Sequence, residues 1–185
     1  MNDRTRDPRR PLAPAVAVLT PPAALLELDP GRFAFSLWRN VSISLWANQP
    51  TLAGAERYQA LSKRLDNELP EGRSHVTFIL NNIAAPTPEA NAIFAHVTGY
   101  RMTTLKCMAI VLEGTGFWAS GIRGLITNLT MSSAEPVLMD IGETIERVVE
   151  WLPVHHAQRT TVQLDPAELK RVLEATRVCG ARERP

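Results

Sequence analysis

The sequence has few cysteines, no long uninterrupted apolar run and almost no net charge. Its two cysteines, Cys107 and Cys179, lie far apart and lack metal-ligand spacing, which argues against a disulfide framework or a cysteine zinc site. The 20 basic and 19 acidic residues leave a net charge of +1, so no bulk field attracts nucleic acid or an anionic membrane. No run of about 18 apolar residues is free of charges and prolines, so we expect no transmembrane helix. These absences favour a reduced, cytoplasmic protein without a cofactor.

Residues 1–30 are rich in proline and alanine and show little hydrophobic periodicity. Basic residues precede an apolar segment there, as in a secretory signal, but prolines at positions 11, 14, 21 and 22 interrupt the segment and disfavour a signal peptide. We therefore predict a flexible arm. The remaining length suits one domain, placed at residues 31–178 with its core at 32–152, and a tail at 179–185 that frays.

Alternating apolar residues from Phe33 to Leu45 predict β-structure. One strand of that length would be unusual, so we predict a hairpin that turns near Arg39–Asn40, with the odd-numbered apolar residues of both strands on one face. Trp38 and Trp46 are even-numbered and are therefore expected on the other face. If that face is exposed, the two rings form an apolar interface patch; the alternative is that a helical layer covers them.

The rest of the chain alternates between helical and strand patterns. The predicted elements are a helix from Thr51 to about Leu69, the strand His75–Leu80, the helix Pro88–Tyr100, the strand Cys107–Leu112, a helix through Trp118 and Leu129, the strand Val137–Ile141, the helix Glu143–Leu152 ended by Pro153, and a last helix opened by Asp165. The order ββαβαβαβα plus a C-terminal helix predicts an α/β fold. We expect a mixed, mainly parallel five-stranded sheet with an N-terminal hairpin.

Three stretches carry a resemblance to a known family: FAFSLWRNVSISLWANQPT, HVTFILNNIAAPTPEANAIF and CMAIVLEGTGFWASGIRGLI. Over about residues 32–152, their element order and hydrophobic pattern resemble the STAS domain of sulfate transporters and anti-sigma factor antagonists. The divergent STAS-like proteins of bacteria are especially similar. The resemblance implies an intracellular, non-enzymatic signalling module that works by docking to a protein partner or to itself as a dimer.

In anti-sigma factor antagonists, an acidic residue and a phosphorylatable Ser or Thr stand where the third strand meets the second helix. Thr87 is the matching hydroxyl here, which makes it the candidate phosphoacceptor, while Asn81 and Asn82 stand where the acidic residue is expected. Prolines flank Thr87, and as a helix cap its hydroxyl would instead accept a backbone hydrogen bond. We therefore expect the loop, with Asn81, Asn82, Thr87 and Glu89, to bind a partner without a working phosphoswitch.

Gly114 and Gly116 belong to a G-x-G-x-x-A match that follows an apolar strand and opens a predicted helix. Asp140 ends the next strand, at the distance where a dinucleotide-binding fold places the carboxylate that holds a ribose. These residues support an alternative function, a nucleotide- or small-molecule-binding domain derived from an enzyme. The simpler interpretation is a tight turn between a strand and a helix.

No assembled set of catalytic or metal-binding residues is evident in the sequence. His155 and His156 follow Pro153 in a predicted loop, His75 and His96 are isolated, and all four are interpreted as surface residues. Cys107 lies inside an apolar strand, where a thiol is inert.

Overall fold

The computed structural model describes residues 17–19, 23–29, 31–81, 83–99, 104–114, 121, 123–124 and 137–181. The strands are β1 (Ala17–Leu19), β2 (Ala23–Asp29), β3 (Phe33–Trp38), β4 (Val41–Trp46), β5 (Arg73–Ile79), β6 (Leu105–Leu112) and β7 (Leu138–Gly142). The helices with defined bounds are α1 (Leu52–Glu68), α2 (Pro88–Gly99), α3 (Ile145–Ala157) and α4 (Pro166–Ala181).

The strands pair in chain order within one sheet, from β1 to β7. Neighbours from β1 to β4 are antiparallel, and neighbours from β4 to β7 are parallel. Six strands form the body of this mixed sheet, and the three-residue β1 extends its edge. The predicted α/β class is therefore confirmed, whereas the prediction of five mainly parallel strands is wrong.

The additional strands, β1 and β2, lie within residues 1–30, for which the composition predicts a flexible arm. β2 pairs with β3 along Ala24–Asp29, and Ala23 and Leu25 are buried. This segment carries too short an apolar pattern to be recognised alone, and it becomes a strand because the hairpin offers it an edge. At the other end of the chain, α4 continues past residue 178 to Ala181.

The hairpin turns at Arg39–Asn40 as predicted, with Trp38 paired to Val41. Arg39 has a φ of +53°, in the left-handed region. Across the two-residue turn, each odd-numbered residue of β3 pairs with an even-numbered residue of β4. Paired residues of a hairpin lie on the same face of the sheet. Phe35 and its neighbour across the ladder, Ser44, therefore face one side, and Ile43 faces the other. The prediction that odd-numbered residues of both strands share a face is wrong.

Helices cover both faces of the sheet. On one face, α1 and α2 pack against Phe33, Phe35 and Trp46 of the sheet. The helices contribute Tyr58, Leu65, Ile93, Phe94 and Val97 to this core. On the other face, α3 and α4 pack against the sheet through Val148, Leu152, Leu169, Val172 and Leu173. Alternate residues of the central strands thus enter two separate apolar cores. The architecture is three layers, with the sheet between two helical layers.

The predicted starts of α1 and α4 are confirmed. Thr51 accepts a hydrogen bond from the Gly54 amide at 3.4 Å, and the Asp165 carboxylate accepts one from the Glu168 amide at 2.7 Å. Pro153 does not end α3, which continues through it to Ala157. Its fixed φ is compatible with a helix, so the cost is one backbone hydrogen bond and a tendency to bend. His155 and His156 consequently lie on a helix and not in a loop.

The predicted helix after Gly114 lies mostly outside the described residues. Gly121, Arg123 and Gly124 are helical, and a Cβ added at either glycine would meet no described residue within 4 Å. Within the described ranges, no helix combines the length and apolar character needed to span a membrane.

Candidate functional site

Two loops meet at the carboxyl ends of β4 and β5, which are parallel neighbours in the sheet. The loop after β4 donates a hydrogen bond from Gln49 Nε2 to the Ala85 carbonyl at 2.8 Å. The loop after β5 donates one from the Thr87 amide to the Pro50 carbonyl at 3.2 Å. We call the described residues of these two segments, 48–51, 81 and 83–89, the joined loops. Their mutual hydrogen bonds fix them at one end of the sheet.

Thr87 begins α2 as its cap. Its hydroxyl accepts a hydrogen bond from the Ala90 amide at 3.3 Å, and its carbonyl accepts one from Asn91 at 2.8 Å. The side chain is half-buried. The hydroxyl therefore has a structural task in satisfying the helix start, as the capping interpretation predicts. Its role as a phosphoacceptor stays a prediction.

The other predicted loop residues lie at or near the surface. Asn48, Gln49, Asn81 and Glu89 are exposed, and Asn82 lies outside the described residues. Leu52, at the start of α1, is 41% exposed and adds an apolar side chain to the end of the joined loops. The surface combines amide side chains with small and apolar residues.

The tryptophans of the hairpin do not form an exposed patch. Trp38 is 2% exposed and belongs to the core beneath α3 and α4, while Trp46 is 6% exposed and belongs to the core beneath α1 and α2. The two rings lie on opposite faces because Trp46 pairs with the odd-numbered Phe33, whereas the even-numbered Trp38 faces the other side of β3. The expectation of a hairpin interface at Trp38 and Trp46 is thus wrong, and the alternative of helical cover is observed.

The residues of the predicted nucleotide site are only partly described. Gly114 follows β6 with a φ of +118°, which requires a glycine, while Gly116 lies outside the described residues. Asp140 lies in the middle of β7, and Arg147 donates two hydrogen bonds to its carboxylate at 2.8 and 2.7 Å. A bidentate arginine already satisfies the carboxylate that the prediction assigned to a ribose.

A polar network that the sequence interpretation missed lies inside the core beneath α1. His75 on β5 is buried between two hydroxyls of β4: its Nδ1 lies 2.8 Å from Ser42 Oγ, and its Nε2 lies 3.0 Å from Ser44 Oγ. Thr77 extends the series, with its hydroxyl 3.1 Å from Ser44 Oγ. The ring of Phe35 stacks on the imidazole, with centroids 5.9 Å apart.

Arg73, at the start of β5, connects this network to Asp66 of α1. It is 1% exposed, yet it donates to Ser42 Oγ at 3.1 Å and, through Nε, to Asp66 Oδ1 at 3.1 Å. Thr104 donates a further hydrogen bond to the same carboxylate. Asp66 itself is 24% exposed. A buried guanidinium is thus compensated by one carboxylate that reaches solvent.

The hydrogen bonds of Ser42 determine which nitrogen of His75 carries a hydrogen, and the pKa of the ring determines its charge. Arg73 can only donate, and the Ser42 hydroxyl donates to the Ser74 carbonyl at 3.2 Å, so His75 Nδ1 carries the hydrogen that Ser42 accepts. In a ring that is otherwise unprotonated, Nε2 accepts from Ser44. Burial, with a further contribution from the Arg73 charge, lowers the pKa of His75 to about 3. Both ring nitrogens of His75 thus have a hydrogen-bond partner, and the ring carries no charge.

A second buried histidine lies on the opposite face of the same strand. His156 of α3 places Nδ1 2.7 Å from Ser74 Oγ, and burial lowers its pKa to about 4. Ser74 also hydrogen-bonds the thiol of Cys107 on β6, and burial raises the pKa of that thiol despite the Ser74 hydroxyl and the Arg159 charge. Cys107 is therefore held in its thiol form, as expected of an inert core cysteine.

The interpretation of all histidines as surface residues is wrong for His75 and His156. A signal was present: Ser42, Ser44, His75 and Thr77 occupy alternate positions on strands that helices cover. Buried polar side chains require partners, so polar residues repeating every second position on two such strands indicate a shared network. In the described part of the chain, no group of three or more His, Cys, Asp or Glu residues could hold a metal ion.

No protein-family model, curated protein or solved structure matches this chain. The assignment of a function therefore depends on the geometry of the described residues. They offer two kinds of candidate: the exposed joined loops, and the buried networks of His75 and His156, which solvent does not reach in this conformation.

Proposed function

We propose that this chain is a non-enzymatic protein–protein interaction module, resembling the STAS-like proteins of bacteria, and that it binds its partner through the joined loops. The observation that carries the proposal is the pair of hydrogen bonds from Gln49 to Ala85 and from Thr87 to Pro50. These bonds hold exposed residues in one arrangement before a partner arrives. Preorganisation of this kind reduces the ordering cost of association.

The chemistry of the joined loops fits recognition better than modification. The Thr87 hydroxyl caps α2, and Asn81 and Glu89 present an amide and a carboxylate to solvent. Leu52 supplies an exposed apolar side chain of the kind that interfaces bury. Cys107 and Cys179 are both free thiols, which fits the cytoplasmic location that we propose.

The test compares surface variants that leave the core unchanged. Asn81→Arg and Glu89→Arg alter the joined loops, and Lys63→Glu alters an exposed position on the middle of α1 as the matched control. We expect cross-linked co-purification from the native organism to lose one protein with both loop variants and to keep it with the control. If no captured protein depends on the loops, and sedimentation shows no concentration-dependent dimer, the proposal fails.

A second candidate function is a nucleotide- or small-molecule-binding domain at Gly114. The positive φ of Gly114 at the carboxyl end of a parallel strand favours it, since such turns let backbone amides approach phosphate. Thermal-shift measurements with NAD, NADP, ATP and GTP test it. A bound ligand at about 100 times its Kd would stabilise the fold by about 2.7 kcal/mol, and a flat response across the panel would remove this candidate.

A further inference from the structure

The last turn of α3 is attached to the sheet differently from the rest of that helix. Pro153 lies inside the helix and has no amide hydrogen to donate to the Val149 carbonyl. Helices bend at such positions. The four residues that follow, Val154–Ala157, form what we call the His156 turn. The missing hydrogen bond leaves this turn less firmly joined to the preceding helix.

The His156 turn has one fully buried side chain, and it is the imidazole. Val154 is 56% exposed, and His155 and Ala157 are half-buried. His156 itself is 0% exposed, with Nδ1 bonded to Ser74 and Nε2 buried without a hydrogen-bond partner among the described residues. Earlier turns of α3 bury apolar residues instead. A titratable group therefore holds this turn on the sheet.

The groups packed around His156 offer little to stabilise a charged ring. The hydrogen-bond partner of the ring is the Ser74 hydroxyl of β5, which also bonds the Cys107 thiol of β6, and the positive charge of Arg159, in the loop after α3, acts on that thiol. Two ion pairs lie near the start of α3, Asp140 of β7 with Arg147 and Lys170 of α4 with Glu146, and α4 also pairs Glu168 with Arg39 and Arg177 with Glu113. A protonated His156 would thus be a buried cation without a carboxylate from these elements.

We propose that the His156 turn is an acid-released cover over Ser74 and Cys107. While the imidazole is neutral, the turn stays on the sheet; when the imidazole takes a proton from solvent, the turn moves outward about Pro153. In the released state the charged ring is hydrated, and water replaces it as the partner of Ser74. The movement exposes a thiol that is otherwise buried.

The direction of the pH effect follows from linkage. Burial lowers the pKa of His156 to about 4, whereas a released, hydrated imidazole has its ordinary value near 6.5. The released form therefore binds the proton more tightly, and release becomes more favourable as pH falls from about 6.5 towards 4. Between pH 7 and pH 5 the equilibrium constant for release should rise roughly 20-fold.

Cys107 reports this release directly. The experiment follows its reaction with 4,4′-dithiodipyridine in the full chain carrying Cys179→Ser, and divides each rate by the rate in denaturant at the same pH. We expect the normalised rate to rise roughly 20-fold from pH 7 to pH 5. The same rise is expected with His155→Gln, which changes the adjacent histidine, and its loss is expected with His156→Gln.

Further measurements keep the proposal falsifiable. Should His156→Gln fail to fold, Ser74→Ala combined with His156→Phe removes both polar partners together and serves as the non-titrating variant. Reaction through the released turn should depend weakly on urea below the unfolding transition, unlike reaction through global unfolding. An unchanged pH rise in the non-titrating variant, a flat rate in the parent chain, or a urea dependence equal to that of global unfolding would each overturn the proposal.

Discussion

The Ser74 hydroxyl lies 2.7 Å from Nδ1 of His156, although 82 residues separate them in sequence. On the opposite face of the sheet, the Ser74 carbonyl accepts a hydrogen bond from Ser42, which is itself bonded to His75. Two buried histidines are therefore connected through one residue of β5. This polar connection crosses the sheet between two apolar cores, and the uncharged state of both rings is a condition of the fold.

The stability of the protein should fall in mild acid because of these histidines. The pKa in the folded state is about 3 for His75 and about 4 for His156, and both values lie below the ordinary value for histidine. In mild acid the unfolded chain therefore binds more protons than the folded chain. The stabilisation is complete above about pH 6.5 and is lost as pH falls below it. We expect the two histidines together to remove about 2–4 kcal/mol between pH 7 and pH 5, measured by urea unfolding.

The control for this prediction is a comparison of slopes. His75→Gln should be less stable than the parent at pH 7, yet its stability should fall less steeply towards pH 5. His155→Gln should keep the parental slope. If the unfolding free energy changed equally with pH in all three proteins, the pKa of His75 would not be lowered by folding.

Removing Asp66 should cost more than removing a surface carboxylate from the same helix. Asp66→Ala leaves the buried Arg73 guanidinium without its carboxylate, and we expect a loss of about 2–4 kcal/mol. Glu68→Ala breaks an exposed pair with Arg64 and should cost less than about 0.5 kcal/mol. Arg73→Met combined with Asp66→Leu should recover part of the loss, as measured by chemical denaturation. Similar losses for both single alanine variants would contradict this prediction.

Thr87→Ala should destabilise the protein by about 1 kcal/mol because the Ala90 amide loses its acceptor. Thr87→Ser keeps a hydroxyl and should lose only a small part of this. Thermal or urea unfolding of the two variants measures the difference. Were alanine to be as stable as serine here, the hydroxyl would have no capping role, and its interpretation as a modification site would gain weight.

Two glycines in helices should respond oppositely to alanine. A Cβ at Gly180 would lie 2.8 Å from Leu45 Cδ2 and 3.0 Å from Ala34 Cβ, so Gly180→Ala should cost about 1–3 kcal/mol through overpacking of α4 on the hairpin. A Cβ at Gly121 would meet none of the described residues within 4 Å, and Gly121→Ala should be neutral or stabilise by up to about 1 kcal/mol. The unfolding midpoints of both variants, compared with that of the parent chain, test this prediction. If Gly180→Ala left the stability unchanged, α4 would pack less closely on the hairpin than described.

Trp38→Ala and Trp46→Ala should each cost about 3–5 kcal/mol, because each creates a cavity in a different core. Since the cores lie on opposite faces, the two losses should be nearly additive in the double variant, if it folds. Denaturation measures the losses, and sedimentation of the folded single variants should show the parental size. A change of oligomeric state with little loss of stability would instead restore the interface interpretation of these tryptophans.

The sequence by itself determined the alternation of strands and helices, the hairpin turn at Arg39–Asn40, and the helix starts at Thr51, Thr87 and Asp165. These features depend on periodicity and on hydrogen bonds within three residues, so local sequence contains their cause. Only the tertiary structure decided that residues 23–29 form a strand, which tryptophan enters which core, and that His75 and His156 are buried. Each of these depends on which strand or helix lies alongside, because the partners of a buried polar or apolar group come from distant segments. The Ser74–His156 contact is of this kind, and neither residue indicates it alone.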